Sequence, residues 1–134
     1  MSLEIGTKAS IELKVEDKDL AKNLQISKDD NFPEVLATAR MVALMECSAA
    51  KILIPYIEEG QLSVGVEVNI KHLAPTLSGD IVTSTATFEG MEGKLYKFSL
   101  EVVDSAGVVG TGTHTRAIIT EDRLMTGANK RVGK

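Results

Sequence analysis

Ile11, Leu13 and Val15 alternate with Glu12, Lys14 and Glu16, the period of a strand with one face buried and one in water. A polar stretch follows from Asp17 to Asn31, with only Leu20, Leu24 and Ile26 to anchor it, enough for a short helix or a mobile flap. From Pro33 to about Ile57 the pattern turns helical and rich in Ala, Met and Leu. Pro33 is acceptable in a first turn, and Glu58-Glu59-Gly60 closes the segment. Four strands are predicted after it: Leu62–Lys71, Ile81–Phe88, Lys94–Asp104 and Val108–Ile119. The turns between them are too short for parallel crossovers, so neighbouring strands run antiparallel.

From Met41 to Ile54 the helix is apolar on nearly every face, which marks a buried helix rather than an amphipathic surface one. With a single long helix, the sheet must supply the cover. The expected fold is therefore α+β: a curved antiparallel β-sheet wrapped around one long central helix, the hot-dog architecture. An open sheet leaves edges to protect, and pairing with a second copy is one solution, so a homodimer or a dimer of dimers is expected.

Length and composition narrow the functional classes. The 134 residues suit one domain spanning 1–134. A net charge of −4 leaves no electrostatic footprint for nucleic acid. The basic cluster Lys130, Arg131 and Lys134 reads as the end of a frayed, solvated tail from about 125 to 134. One cysteine, Cys47, cannot form an intrachain disulfide. There is no apolar leader after a basic start, and no apolar stretch long enough to span a bilayer. These features predict a cytoplasmic protein.

Three polar residues stand where core is expected. Glu46 interrupts the apolar helix, where a carboxylate must be paired, hydrogen-bonded or protonated. His72 continues the parity of Val64, Val66, Val68 and Ile70, so its ring points at the helix if the strand persists that far. Thr38 near the helix start is, on the sequence alone, better explained as an N-cap. Thr38 and Glu46 are eight residues apart, roughly 12 Å along a helix axis, too far to hydrogen-bond within one chain. Either His72 bridges them or a second protomer supplies one of the three.

The runs Phe32-Pro33-Glu34-Val35-Leu36-Ala37-Thr38, Met41-Val42-Ala43-Leu44-Met45-Glu46, Lys71-His72-Leu73-Ala74-Pro75-Thr76 and Gly110-Thr111-Gly112-Thr113-His114-Thr115-Arg116-Ala117 together resemble the fluoroacetyl-CoA thioesterase family of hot-dog enzymes. The resemblance covers roughly residues 32 to 119. It implies hydrolysis of a small acyl-CoA, with Thr38, Glu46 and His72 as a catalytic triad. It also implies that Gly65 and Arg116 line the active site, and that Phe32 belongs to a lid over the acyl group. Ser27-Lys28-Asp29-Asp30-Asn31, before Phe32, offers no further aromatic residue, so the resemblance supports thioester hydrolysis more strongly than any one acyl group.

A thioester carbonyl needs a nucleophile, a base and donors for the developing oxyanion. His72 would be the base, oriented by Glu46, while Thr38 attacks or holds the attacking water. Backbone N–H groups at the helix start are candidate oxyanion donors. Arg116 could meet the CoA phosphates or the acyl region, and Gly65 could permit close approach of a bound thioester. His114 shares strand parity with Arg116, which makes a second cluster conceivable. No metal or redox cofactor is expected, coenzyme A entering only as part of the substrate. The competing reading is a hot-dog domain that binds an acyl-CoA or another small ligand without turning it over.

Overall fold

The structure, a computed structural model, describes residues 2–134. Five strands form one antiparallel sheet: β1 (Lys8–Lys14), β2 (Gln61–His72), β3 (Ile81–Glu92), β4 (Leu95–Asp104) and β5 (Gly107–Thr120). Their order across the sheet is β1-β3-β4-β5-β2, so β1 and β2 are its edges. The pairing registers slip at Gly65/Glu67, Phe88/Gly90 and Val102/Val103. Each slip adds local twist, and the sheet curls around the central helix α1 (Thr38–Leu53) as expected of a hot-dog fold. Met41, Leu44, Met45, Ala49, Ile52 and Leu53 of that helix form the core with Val82, Ala86, Phe88, Phe98, Leu100, Val102 and Val109 of the sheet.

Several expectations change at the level of packing. The helix starts at Thr38, not Pro33, because residues 33–37 are held outside it, with a bend at 34–35 and an extended Ala37. Leu36 bridges Leu20, its amide donates to the Thr76 carbonyl, and the Ala37 amide donates to that of Asp19. Leu36 itself is buried. The helix is also not buried all round. Its own sheet covers the stripe Met41, Leu44, Met45, Ser48, Ala49, Ile52 and Leu53, whereas Val42, Ala43 and Ala50 stay half-buried and Cys47 exposed. A five-stranded half-barrel can close over only one side of a helix.

On β2 the slip after Gly65 throws Val66 out of the ladder, and both Val66 and Val68 are exposed rather than core. In the segment from Asp17 to Asn31, two 3-10 turns (Asp17–Asp19 and Ala21–Asn23) hold Leu20 in the core, but Ile26 is 99% exposed and anchors nothing. The tail is not frayed. Residues Glu121–Arg131 form a second helix, α2, with no buried residue. Thr120 caps it by accepting from the Arg123 amide, and Glu121, Asp122, Lys130 and Arg131 match the helix dipole at its two ends.

Candidate active site

Two elements far apart in sequence meet at one end of the fold. Thr38 is the first residue of α1 and His72 the last residue of β2, and Thr38 Oγ1 lies 2.8 Å from His72 Nδ1. The N-cap position belongs to Ala37, which has no side-chain cap bond, so the Thr38 hydroxyl is not occupied in capping. The Thr38 and Ala39 amides sit at the open end of the helix, where no preceding turn can accept from them. The other ring nitrogen, His72 Nε2, is buried and has no hydrogen-bond partner among the described residues.

The pair borders a cavity of about 390 Å³ lined by Phe32, Pro33, Val35, Leu73, Ala74 and Pro75 as well as by Thr38 and His72. A second hollow of about 260 Å³, lined by Ala21, Leu24, Phe32, Ala37, Thr38 and Ala39, adjoins it. Ala21, Phe32 and Thr38 line both, and the Phe32 ring is partly exposed there. Residues 19–22 are tied down beside this cavity. The buried Asp19 carboxylate accepts from Arg40 Nε at 2.8 Å, the Ala21 amide donates to the Val35 carbonyl, and Lys22 pairs with Glu34 at 3.1 Å. A larger hollow of about 520 Å³ at the other end of the helix, bordered by Ile5, Tyr56, Phe88 and Tyr96, has no base beside a hydroxyl of comparable kind.

Glu46 is not among the partners of His72. It lies two turns along the helix, with its side chain 38% exposed, and Oε1 accepts from Arg116 Nη1 at 3.2 Å. The expected core carboxylate is thus a half-buried one at the helix–sheet seam, its charge balanced by a guanidinium. Arg116 is 93% buried, and each of its three side-chain nitrogens donates to a protein group. Its Nε donates to Ser63 Oγ, Nη2 to the Ser63 carbonyl, and Nη1 to Glu46 and to His114 Nε2. Gly65 pairs with Arg116 across the ladder, and a Cβ there would fall onto Glu46 Oε1. The close approach anticipated at Gly65 is that of a carboxylate of this chain.

One chain thus brings Thr38 to His72, with Phe32 beside them, and separately brings Glu46 to Gly65 and Arg116. Ser63 and His114 complete the second group. His114 carried a signal in its parity with Arg116; Ser63 carried none, since its role depends on the pairing of β2 with β5. No group of His, Cys, Asp and Glu side chains suited to a metal ion occurs among the described residues. No helix among them is long and apolar enough to cross a membrane.

Residues 15–122 match the family described as fluoroacetyl-CoA-specific thioesterase. A fluoroacetyl-CoA thioesterase from Streptantibioticus cattleyicolor is 40% identical over 88 residues, which span 66% of this chain and 63% of that relative. A variant of the fluoroacetyl-CoA-specific thioesterase FlK, crystallised with fluoroacetate and CoA, superposes with a TM-score of 0.85 at 30% identity, covering 90% of this chain and 98% of that one. A hot-dog-like protein from Thermanaerovibrio acidaminovorans gives a TM-score of 0.84 at 33% identity, over 97% and 93% of the two chains. The sequence match and the shared fold agree: this chain belongs to the fluoroacetyl-CoA-specific thioesterase family.

Proposed function

We propose that this protein hydrolyses a small acyl-CoA thioester to the free acid and CoA, with Thr38, His72 and Glu46 as its catalytic groups. The observation that carries the reading is the 2.8 Å contact between a threonine hydroxyl and a histidine ring nitrogen at the edge of a largely apolar cavity. A hydroxyl is a weak nucleophile until an adjacent base takes its proton. Thr38 Oγ1 attacks the thioester carbonyl carbon and gives its proton to His72 Nδ1. The tetrahedral oxyanion lies against the Thr38 and Ala39 amides at the helix start. Collapse breaks the carbon–sulfur bond, and the departing thiolate takes the proton from His72. Water then attacks the acyl-threonine ester with His72 again as base, releasing the acid and restoring the hydroxyl. These steps call for neither a metal nor a redox cofactor.

With Nδ1 accepting from Thr38, His72 Nε2 carries the other proton and has no acceptor among the described residues; because that atom is buried within the single chain, an acceptor from a second copy reaches it only with a shift of the ring or of the groups that cover it. A second copy supplies one if the exposed edge β2 pairs antiparallel with itself. A twofold axis between Val68 and Asn69 sets Gly65, and the Glu46 carboxylate packed on it, opposite His72 of a second copy. The same pairing covers the exposed Val66 and Val68. A homodimer is accordingly part of the reading, as is the cytoplasm, whose reducing conditions suit the exposed Cys47.

The test is release of free thiol from a panel of short, branched, halogenated and aromatic acyl-CoAs by wild type and by His72→Ala. Turnover of one substrate that is largely lost in the variant supports the assignment. No turnover, or equal turnover by both proteins, overturns it in favour of a domain that only binds acyl-CoA.

A further inference from the structure

His114 is fully buried on β5, plays no part in the steps above, and makes two hydrogen bonds whose directions are forced. Its Nδ1 lies 2.7 Å from the Glu67 carbonyl, which can only accept, so Nδ1 carries a proton. Its Nε2 lies 3.1 Å from Arg116 Nη1, and a guanidinium can only donate, so Nε2 offers a lone pair. A single species, the neutral ring with its proton on Nδ1, satisfies both contacts. A cationic ring would aim an N–H at the guanidinium, and its nearest carboxylate oxygen, Glu46 Oε1, is 4.0 Å from Nε2, beyond hydrogen-bonding reach.

The surroundings favour the neutral ring. From β4 only the Phe98 ring faces it, with centroids 6.4 Å apart. The charged groups around it are Arg116 on its own strand and Glu46 on α1; β2 contributes the Glu67 carbonyl. Burial pushes the ring's pKa below the usual histidine value, and Arg116 adds to that lowering.

We propose that His114 is a positioning residue. As a neutral acceptor it holds Arg116 Nη1 at the point where that group also donates to Glu46, and so sets where the carboxylate stands. Ser63 holds Nε and Nη2 of the guanidinium, and His114 accepts from one N–H of Nη1, leaving the other directed at Glu46. The inference rests on the functional reading above, in which the carboxylate orients His72 of a second copy. Displacing it therefore acts on the chemical step more than on substrate binding.

The chain has only two histidines, so ring nitrogen-15 NMR of the histidine-labelled wild-type protein separates them, with His114→Gln assigning the signals. The expected result is a His114 ring protonated on Nδ1 and bare on Nε2 at neutral pH. A proton on Nε2 overturns the proposal whatever the substrate proves to be. With a substrate in hand, His114→Leu should lower kcat on the order of tenfold or more with little change in KM, and His114→Gln, which keeps an acceptor for Arg116, should recover most of that loss. Equal losses in the two variants, or a loss confined to KM, overturn it. If the wild type turns over no acyl-CoA, the functional reading fails and the NMR result alone decides whether His114 holds Arg116.

Discussion

Thr38 Oγ1 and His72 Nδ1 stand 2.8 Å apart across the seam between the first turn of α1 and the last residue of β2. Nothing local holds them there. The extended segment ending at Ala37 delivers the threonine, and the pairing of His72 with Gly110 delivers the histidine. A hydroxyl aimed directly at a base suits a nucleophile. Rapid-quench mass spectrometry with a turned-over substrate should therefore find the acyl mass on Thr38. Thr38→Ala should lower kcat on the order of a hundredfold or more, with Thr38→Ser retaining part of the rate. An unacylated protein with a largely active alanine variant would leave Thr38 no more than a water-positioning role.

Glu46→Gln and His72→Ala should complement each other in mixed dimers. If each site joins Glu46 of one chain to His72 of the other, the heterodimer keeps one intact site and about half the wild-type rate per dimer. Doubly tagged heterodimers, purified and assayed, read this directly. Activity no higher than in the single variants would mean that the two residues serve within one chain.

Gly65→Ala and Gly112→Ala separate function from stability. The added methyl at Gly65 meets the end of the Glu46 side chain, which can swing away, so the fold should survive while the carboxylate leaves Arg116 and activity drops. At Gly112 it meets the Asn69 carbonyl at 2.5 Å and the Ile70 Cα at 2.9 Å, which cannot move cheaply. Overpacking there should cost about 1–3 kcal/mol. Urea unfolding of both variants checks the contrast. A strongly destabilised Gly65→Ala would refute it.

Phe32→Ala should enlarge the two hollows that its ring lines and widen the range of acyl groups accepted, raising kcat/KM for longer chains relative to short ones. The same acyl-CoA panel measures this. An unchanged order of preference would remove Phe32 from acyl selection.

Acid should weaken the fold through His114. Its ring is harder to protonate in the folded protein than in the unfolded chain, where the pKa is about 6.5. The unfolded state therefore binds more protons as pH falls. The ring imposes no penalty above about pH 6.5, and stability is lost progressively as pH drops from there toward the lower folded value. Urea midpoints for wild type and His114→Gln, compared from pH 8 to 5, should converge or cross as pH falls. Parallel curves would show that His114 does not titrate as described.

The periodicity of the chain was sufficient for the five strands and the body of the central helix. Alternation marked Ile11, Leu13 and Val15, the turn residues separated β2 to β5, and the long apolar run marked α1, because side-chain direction in strands and helices repeats with a fixed period. Membership of the family was legible because the resembling runs lie within residues 32 to 119, inside the 15–122 that the family matches. The helix α2 was missed because Gly127 and the basic residues that close it read as a solvated tail, and its few apolar residues, Leu124, Met125 and Ala128, make too short a stripe to stand out.

What the pattern could not supply was which strands become neighbours. The partners of Glu46 are Arg116, 70 residues away, and a gap left by Gly65, and both follow from the pairing of β2 with β5. The slip after Gly65 turned Val66 and Val68 from expected core into exposed edge, since one extra residue in a strand displaces the side chains around it. Elements are set by neighbours along the chain, whereas the grouping of Thr38 with His72, and of Glu46 with Arg116 and His114, is set by contacts between them and exists only once the sheet has closed around the helix.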